Sequence, residues 1–417
     1  MPRFTRALRH SNYRLFFSGQ LVSLIGTWMQ TVAESWLVYR LTGSAALLGV
    51  AGFASQIPVF LLATIGGTVA DRHNRHRILV ITQATAMVLP LILAALVFTG
   101  HVRVWHVFVL AGTLGVVNAF DVPARQSFIV EMVGKEDLVN AIALNSSIFN
   151  GARTIGPAVA GVLLAAVGEG WCFLLNGLSY IAVITGLLLM KLPARERGAL
   201  PPPSLADTVG GFRFIRKTMP IRDLLLLVGL VSLAGMPYTV LMPIFADSIL
   251  HGGPKGLGLL MASTGLGSLF GALSIASRSS IRGLGRVVAL AAFTFGLSLA
   301  VFSLSRVFWL SAVLLAVVGM SLITQAASTN TLIQSMVPDE LRGRVMAVYA
   351  MMFMGMSPIG ALIEGALAER IGAPATLVIG GCVCMAGAVI FYVRLPALRI
   401  VARQLIDAQR VTTAVGD

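Results

Sequence analysis

Long apolar runs follow one another along almost the whole chain, at roughly residues 15–38, 44–69, 78–99, 105–122, 139–167, 172–192, 222–246, 257–277, 284–304, 308–331, 345–367 and 374–394. A helix needs about 20 mostly apolar residues to cross a bilayer, and each of these twelve runs supplies roughly that number. The pattern predicts an all-α integral membrane protein with twelve transmembrane helices. Composition agrees, because only 12% of residues are charged while 57% are hydrophobic. A soluble domain carries about 25% charged residues, so this chain has too little charge to cover itself in water. Its 43 glycines suit close helix packing in lipid. The first run is long, continues directly into further spans and lacks a small-residue cleavage site, so it does not read as a removable signal peptide.

An even number of spans places both termini on one side, and the basic residues say which. The side holding the N-terminus carries 25 lysines and arginines, from Arg3 to Arg410, and the opposite side carries five: Arg40, Arg103, Lys255, Arg306 and Arg370. Arg153 falls inside a span. Such asymmetry is the positive-inside signature and predicts cytoplasmic termini. It also accounts for the net charge of +14 without a nucleic-acid partner. The basic residues sit in short turns, with no basic domain and no interleaved aromatics.

The runs divide six and six around "KLPARERGALPPPSLADTVGGFRFIRKTMPIRD", the longest segment between spans. The expected divisions are an N-terminal bundle over 1–192, a linker over 193–221, a C-terminal bundle over 222–396 and a tail over 397–417. Within the linker, Ser204 can cap a helix with Asp207 in its first turn. Leu205, Val209, Phe212 and Ile215 then recur at helical spacing, as in a helix lying on the membrane surface. An ordinary solvated linker is the alternative. The halves also resemble each other. A gapless shift of 204 lays residues 129–168 on 333–372, with twelve identities in forty, among them Glu136 on Glu340, Gly151 on Gly355, Gly156 on Gly360, Gly161 on Gly365 and Gly168 on Gly372. Parallel repeats of six spans predict two bundles related by a pseudo-two-fold axis along the membrane normal. They also predict a secondary transporter whose central site lies between them.

One short stretch concentrates charge: "GGTVADRHNRHR", Gly66 to Arg77. Gly67, Asp71, Arg72, Arg75 and Arg77 fit Gly-x-x-x-Asp-Arg-x-Gly-Arg-x-Arg, the signature after span two of the major facilitator superfamily, which the chain resembles. Asn74 stands where glycine is usual, and asparagine tolerates the left-handed backbone that such a turn takes. "TWMQTVAESWLVYRLTGSAALLG", "DVPARQSFIVEMV" and "ARTIGPAVAG" are similar to drug and siderophore exporters related to the enterobactin exporter. The resemblance implies rocker-switch transport. It also implies a cytoplasmic latch of Gly67, Asp71, Arg72, Arg75, Asp121 and Arg125, in which Asp71 faces the start of span eleven and Arg75 pairs with Asp121. The simpler reading is that the loop's positive residues only hold it inside. The resemblance further gives Gly151, Gly156, Pro157 and Gly161 as the span-five exporter motif.

Ionisable residues within spans are costly, so each is a functional candidate. Glu34 and Glu364 are the candidates for proton coupling, because a carboxyl whose access to water alternates can carry H⁺. For Glu34 the plainer explanation is an interfacial acid snorkelling outward or a structural hydrogen bond. Arg153 is a candidate cavity residue, with Gln30, Gln56, Asn118, Asn145, Asn150 and Gln325; Asn176 and Asn330 are further polar residues within spans. Met351, Met352, Met354 and Met356 cluster around Phe353, as helix packing or as an adaptable apolar surface. Pro237 and Pro243 predict a bend in span seven. Cys172, Cys382 and Cys384 have no disulfide or metal spacing, and no phosphate-binding loop exists, so neither a cofactor nor an ATP-driven pump is expected. The expectation is a monomeric, proton-coupled exporter, an antiporter of small amphipathic molecules such as drugs or siderophores, among the lipids of the bacterial inner membrane. The rival reading is a facilitator moving lysophospholipids between leaflets. An intramembrane enzyme is disfavoured, since no nucleophile, base and metal set clusters.

Overall fold

The computed structural model describes residues 3–191, 212–278 and 280–416. Among these residues there is no strand. A 3₁₀ turn, Arg3–Arg9, leads into α1 (Ser11–Thr42), α2 (Ala45–Arg72), α3 (Arg75–Phe98), α4 (Val104–Val133), α5 (Leu138–Ala166) and α6 (Glu169–Leu188). Then come α7 (Met219–Ile249), α8 (Gly253–Ala276), α9 (Leu284–Leu304), α10 (Phe308–Met336), α11 (Asp339–Ile371) and α12 (Ala373–Gly416). Eleven of these, α2 to α12, are long and apolar enough to cross a membrane. Helix α1 has ample length at 32 residues but is diluted by Gln20, Ser23, Gln30 and Glu34, most of which it buries against its neighbours.

Residues at the helix ends explain the boundaries. Gly43 ends α1 with a positive φ of 62°, its N–H donating to Tyr39 O at 2.7 Å. Ser44 then caps α2, its Oγ accepting from Leu47 N. Large apolar side chains such as Leu61, Ile81, Leu188, Leu290 and Val393 lie exposed on the helix surfaces, as lipid-facing residues must. Trp105, Trp171 and Trp309 are exposed in the first turns of α4, α6 and α10, a placement suited to the headgroup level of a bilayer. Cys172 and Cys384 are buried and Cys382 is exposed.

Contacts divide the described residues into two compact units. The first takes those up to 191 together with Met242–Gly265; the second takes those from 212 to Leu241 and from Leu266 onward. The C-terminal part of α7 and the first half of α8 therefore pack with α1 and α5, although the sequence repeat assigns them to the later half. Two glycine pairs that the sequence shift aligns have similar settings. Gly156 lies where α5 crosses α1, and a Cβ there would be 2.6 Å from Trp28 Cβ; Gly360 lies where α11 crosses α7, and a Cβ there would be 2.7 Å from Pro237 Cγ. Gly168 and Gly372, the turns into α6 and α12, share φ +84°.

Helix α7 is interrupted as its prolines predict: it breaks after Ala234, resumes at Tyr238 and winds as a π-helix over Phe245–Ile249. A second π-helical turn, Met351–Gly355, contains most of the methionine cluster. Ser232 Oγ donates to Phe353 O at 2.6 Å, satisfying a carbonyl in that turn, and Met352 packs on Gly229. Met352 thus joins α11 to α7, while Met354 is exposed. Of the expected surface helix, Ser204, Leu205, Asp207 and Val209 lie outside the described residues, while 212–217 is helical, with Phe212 exposed and Ile215 buried.

Candidate functional site

The charged stretch of the sequence forms the junction of α2 and α3. Asn74 is extended, with φ −68° and ψ 109°, and caps α3 by accepting from Arg77 N at 3.2 Å. The residue in the glycine position of the signature is therefore an N-cap and not a left-handed turn, because an asparagine carboxamide satisfies a first-turn N–H that glycine would leave bare. Arg75 opens α3. Its Nη1 donates to Glu131 Oε1 at 2.8 Å, its Nη2 to Asp71 Oδ1 at 3.1 Å and its Nε to Ala70 O at 3.1 Å. Arg75 does not pair with Asp121. Ten residues of α4 separate Asp121 from Glu131, about 15 Å along a helix, so only Glu131 is level with the start of α3.

Asp121 has its own partners deeper in the unit. It is buried and accepts from Thr82 Oγ1 at 2.9 Å and Gln83 Nε2 at 2.8 Å, and its other oxygen pairs with Arg125 one turn along α4. Arg125 also donates to Gln20 Oε1 of α1 at 3.2 Å. Two brackets result, Arg75–Glu131 at the helix ends and Asp121–Arg125 within. Arg72 is exposed. Gly67 has open space around its Cβ position, and its neighbour Gly66 is the glycine pressed against Ala119 of α4.

A third cluster escaped the sequence reading. Asp137, at the turn into α5, is 1% exposed; its carboxylate lies 2.8 Å from Arg6 Nε, Arg9 Nη2 and His10 Nε2. The hydrogen bond from His10, helped by the charges of Arg6 and Arg9, holds the Asp137 carboxyl below its ordinary value against the opposing effect of burial. Ala7 N donates to Asn140 Oδ1 at 2.8 Å and Tyr13 Oη to Ala141 O at 2.9 Å, so the N-terminal turn is bound along α5. The only signal in the sequence was an acid before α5 and a basic run before α1, more than a hundred residues apart.

Within the spans, polar groups form a chain between α6 and α1. Ser179 Oγ donates to Asn176 Oδ1 at 3.3 Å and Asn176 Nδ2 donates to Gln30 Oε1, with Glu34 one turn further along α1. Gln30 is 6% exposed and here seals the contact of α1 with α6. Arg153 of α5 stands over the Trp28 ring at 5.7 Å, and Trp28 meets Phe149 edge-on. Asn150 donates to Ser146 O within α5; Gln56 is exposed, and Asn118 and Asn145 are half-buried. Gly151 meets nothing, but a Cβ at Gly161 would lie 2.9 Å from Gly258 Cα of α8. Pro157, inside α5, presents its carbonyl to the same glycine of α8. Tyr39 Oη donates to Asp247 Oδ2 at 3.1 Å and lies 2.6 Å from Ser248 Oγ. In the second unit, Glu364 is 5% exposed, beside Gly380 of α12, and neither of its oxygens has a hydrogen-bond partner. Gln325 of α10 is also buried, with its Nε2 unpartnered.

The profile of one family, described as transmembrane secretion effectors, matches residues 5–415. The chain is 27% identical over 388 residues to the staphyloferrin A transporter of Staphylococcus aureus, covering 91% of this chain and 95% of that one. It is 27% identical to the multidrug efflux pump Tap of Mycolicibacterium fortuitum, covering 87% and 90%. It is 24% identical to the enterobactin exporter of Shigella boydii, covering 86% and 85%. Among solved structures, the fold is shared with an inward-facing bacterial homologue of the iron transporter ferroportin, with TM-score 0.68, 16% identity and coverage of 91% and 98%. It is shared too with a mutant form of the nucleoside transporter NupG, with TM-score 0.72, 14% identity and coverage of 92% and 99%. These proteins are membrane transporters and not enzymes.

Proposed function

Because the chain belongs to the transmembrane secretion effector family of the major facilitator superfamily, we propose that it is a proton-coupled exporter of small amphipathic molecules, of the siderophore or drug class. It is an integral membrane transporter with siderophore and drug exporters among its relatives. The observation that carries proton coupling is Glu364, buried among spans with both oxygens unpartnered. An ionised carboxylate left alone there costs several kcal/mol, whereas one that takes up a proton and releases it when water enters performs coupling. Glu34, one turn from Gln30 on α1, is the second carboxyl, in the first unit.

In this reading all the helices cross the bilayer, α1 included, with both termini cytoplasmic, in two six-helix halves that alternate as a rocker switch. The contacts of Met242–Gly265 with α1 and α5, Tyr39 to Asp247 and Gly161 on Gly258, are then a gate that must part in each cycle. The test is transport by proteoliposomes under an imposed pH gradient. Wild type should move substrate against its gradient, and Glu364→Gln should bind it but lose pH-driven movement by at least about tenfold. Unchanged pH-driven transport by both Glu364→Gln and Glu34→Gln removes these carboxyls as proton carriers. Transfer of lipid between leaflets without a gradient would favour the facilitator reading instead.

A further inference from the structure

The second unit contains a cavity of about 660 Å³ that the transport reading does not use. It opens between the start of α7 (Pro220, Leu224), the turn into α9 (Arg282, Arg286), the end of α10 (Leu332, Met336) and α12. From α12 it receives Phe391, Leu395 and Leu398 on one side and Arg399 and Arg403 beyond them. Four arginines thus share one cavity with an apolar wall, and no carboxylate lines it among the described residues. Asp223, next to the lining residue Leu224, is occupied by Arg394 at 2.9 Å and Arg222 at 3.2 Å.

Two further features mark the missing partner as an anion. Arg399 Nη2 is buried and has no hydrogen-bond partner, although a guanidinium N–H taken out of water needs one. The first turn of α9 carries Arg286, holds no acid and has no side-chain cap, whereas the positive end of a helix favours a negative group. Keeping a loop on the basic side of the membrane requires positive charge but neither a cavity, nor an apolar wall, nor a buried guanidinium.

We propose that this cavity binds an anionic phospholipid of the surrounding membrane, its phosphate gripped by Arg282, Arg286, Arg399 and Arg403 and its acyl chains laid along Leu332, Met336, Phe391 and Leu395. Arginine forks match phosphate oxygens in pairs, and basic pockets between spans suit anionic headgroups. A soluble phosphate would use the arginines alone and leave the apolar wall without purpose.

The experiment is native mass spectrometry of the delipidated full-length protein in detergent with phosphatidylglycerol or phosphatidylcholine added. Wild type should retain one phosphatidylglycerol at least about tenfold more strongly than phosphatidylcholine, the scale expected from two or more arginines near a phosphate. Arg286→Gln with Arg399→Gln should reduce retention to the phosphatidylcholine level, while Arg306→Gln, outside the cavity, should leave it intact. Leu332→Trp fills the apolar side without changing charge and should also expel the lipid, which covers a failure of the double variant to fold. Equal retention of the two lipids, or undiminished phosphatidylglycerol binding by Leu332→Trp, overturns the proposal. So does full displacement by millimolar inorganic phosphate, which would make the site one for a soluble anion.

Discussion

Arg75 illustrates what one residue settles. Sequence reasoning correctly sought an acid on α4 for it but chose Asp121, because side-chain depth along a helix cannot be read without the register of its neighbour. Arg75 and Glu131 are each mostly enclosed, with side chains 19% exposed. Removing one leaves the other short of a partner, at about 1–3 kcal/mol. Arg75→Ala and Glu131→Ala should each lower the unfolding temperature in detergent, and the exchange Arg75→Glu with Glu131→Arg should recover part of the loss. Recovery by an exchange of Arg75 with Asp121 instead would refute the bracket. Asp137 gives a pH prediction. Its carboxyl is held below the ordinary value in the folded chain, so its contribution is complete above the unfolded pKa and fades as pH falls through the lowered one. Acidification across that interval should release the Arg3–Arg9 turn, seen as faster amide exchange at Ala7, and Asp137→Asn should show fast exchange at neutral pH already. Protection at Ala7 that does not change with pH in wild type would contradict this.

Among the elements, α5 was the most legible and still held a distinction that the sequence hid. Its proline and glycines announced a crossing helix, yet they are not equivalent: Gly156 seats α1, Gly161 seats α8 and Gly151 touches nothing. A glycine's purpose depends on what faces it, and that information belongs to another helix. Gly161→Leu should therefore push the Gly253–Gly265 stretch away, abolish transport and raise the labelling of a cysteine placed at Ser248. Gly151→Ala should leave both unchanged, and equal effects of the two would dismiss the gate. The break in α7 was legible through Pro237, whereas the π turns were not, since no residue type requires one. The surface helix in the linker was legible only as a pattern, and most of it lies outside the described residues.

For the molecule as a whole, the apolar runs announced an all-α chain, of which eleven helices are long and apolar enough to cross a membrane, and the 204-residue shift pairs Gly168 with Gly372, which share φ +84°. Apolar run length and chain duplication are properties of sequence alone. The grouping of Met242–Gly265 with the first unit was not legible, because it depends on which packing a two-sided helix adopts. The cysteines carry a practical consequence. Cys172 and Cys384 are enclosed by protein, and Cys382 lies nine residues into α12, about 14 Å from its start, exposed on that helix's surface. A charged reagent needs water to reach a thiol, and neither a bilayer core nor a packed interior supplies it. Charged methanethiosulfonate reagents should therefore leave the native protein unmodified in intact membranes, while an apolar mercurial should reach Cys382 alone. The natural chain would then be silent towards charged thiol reagents, so that single reporter thiols could be read with them and its own cysteines left in place.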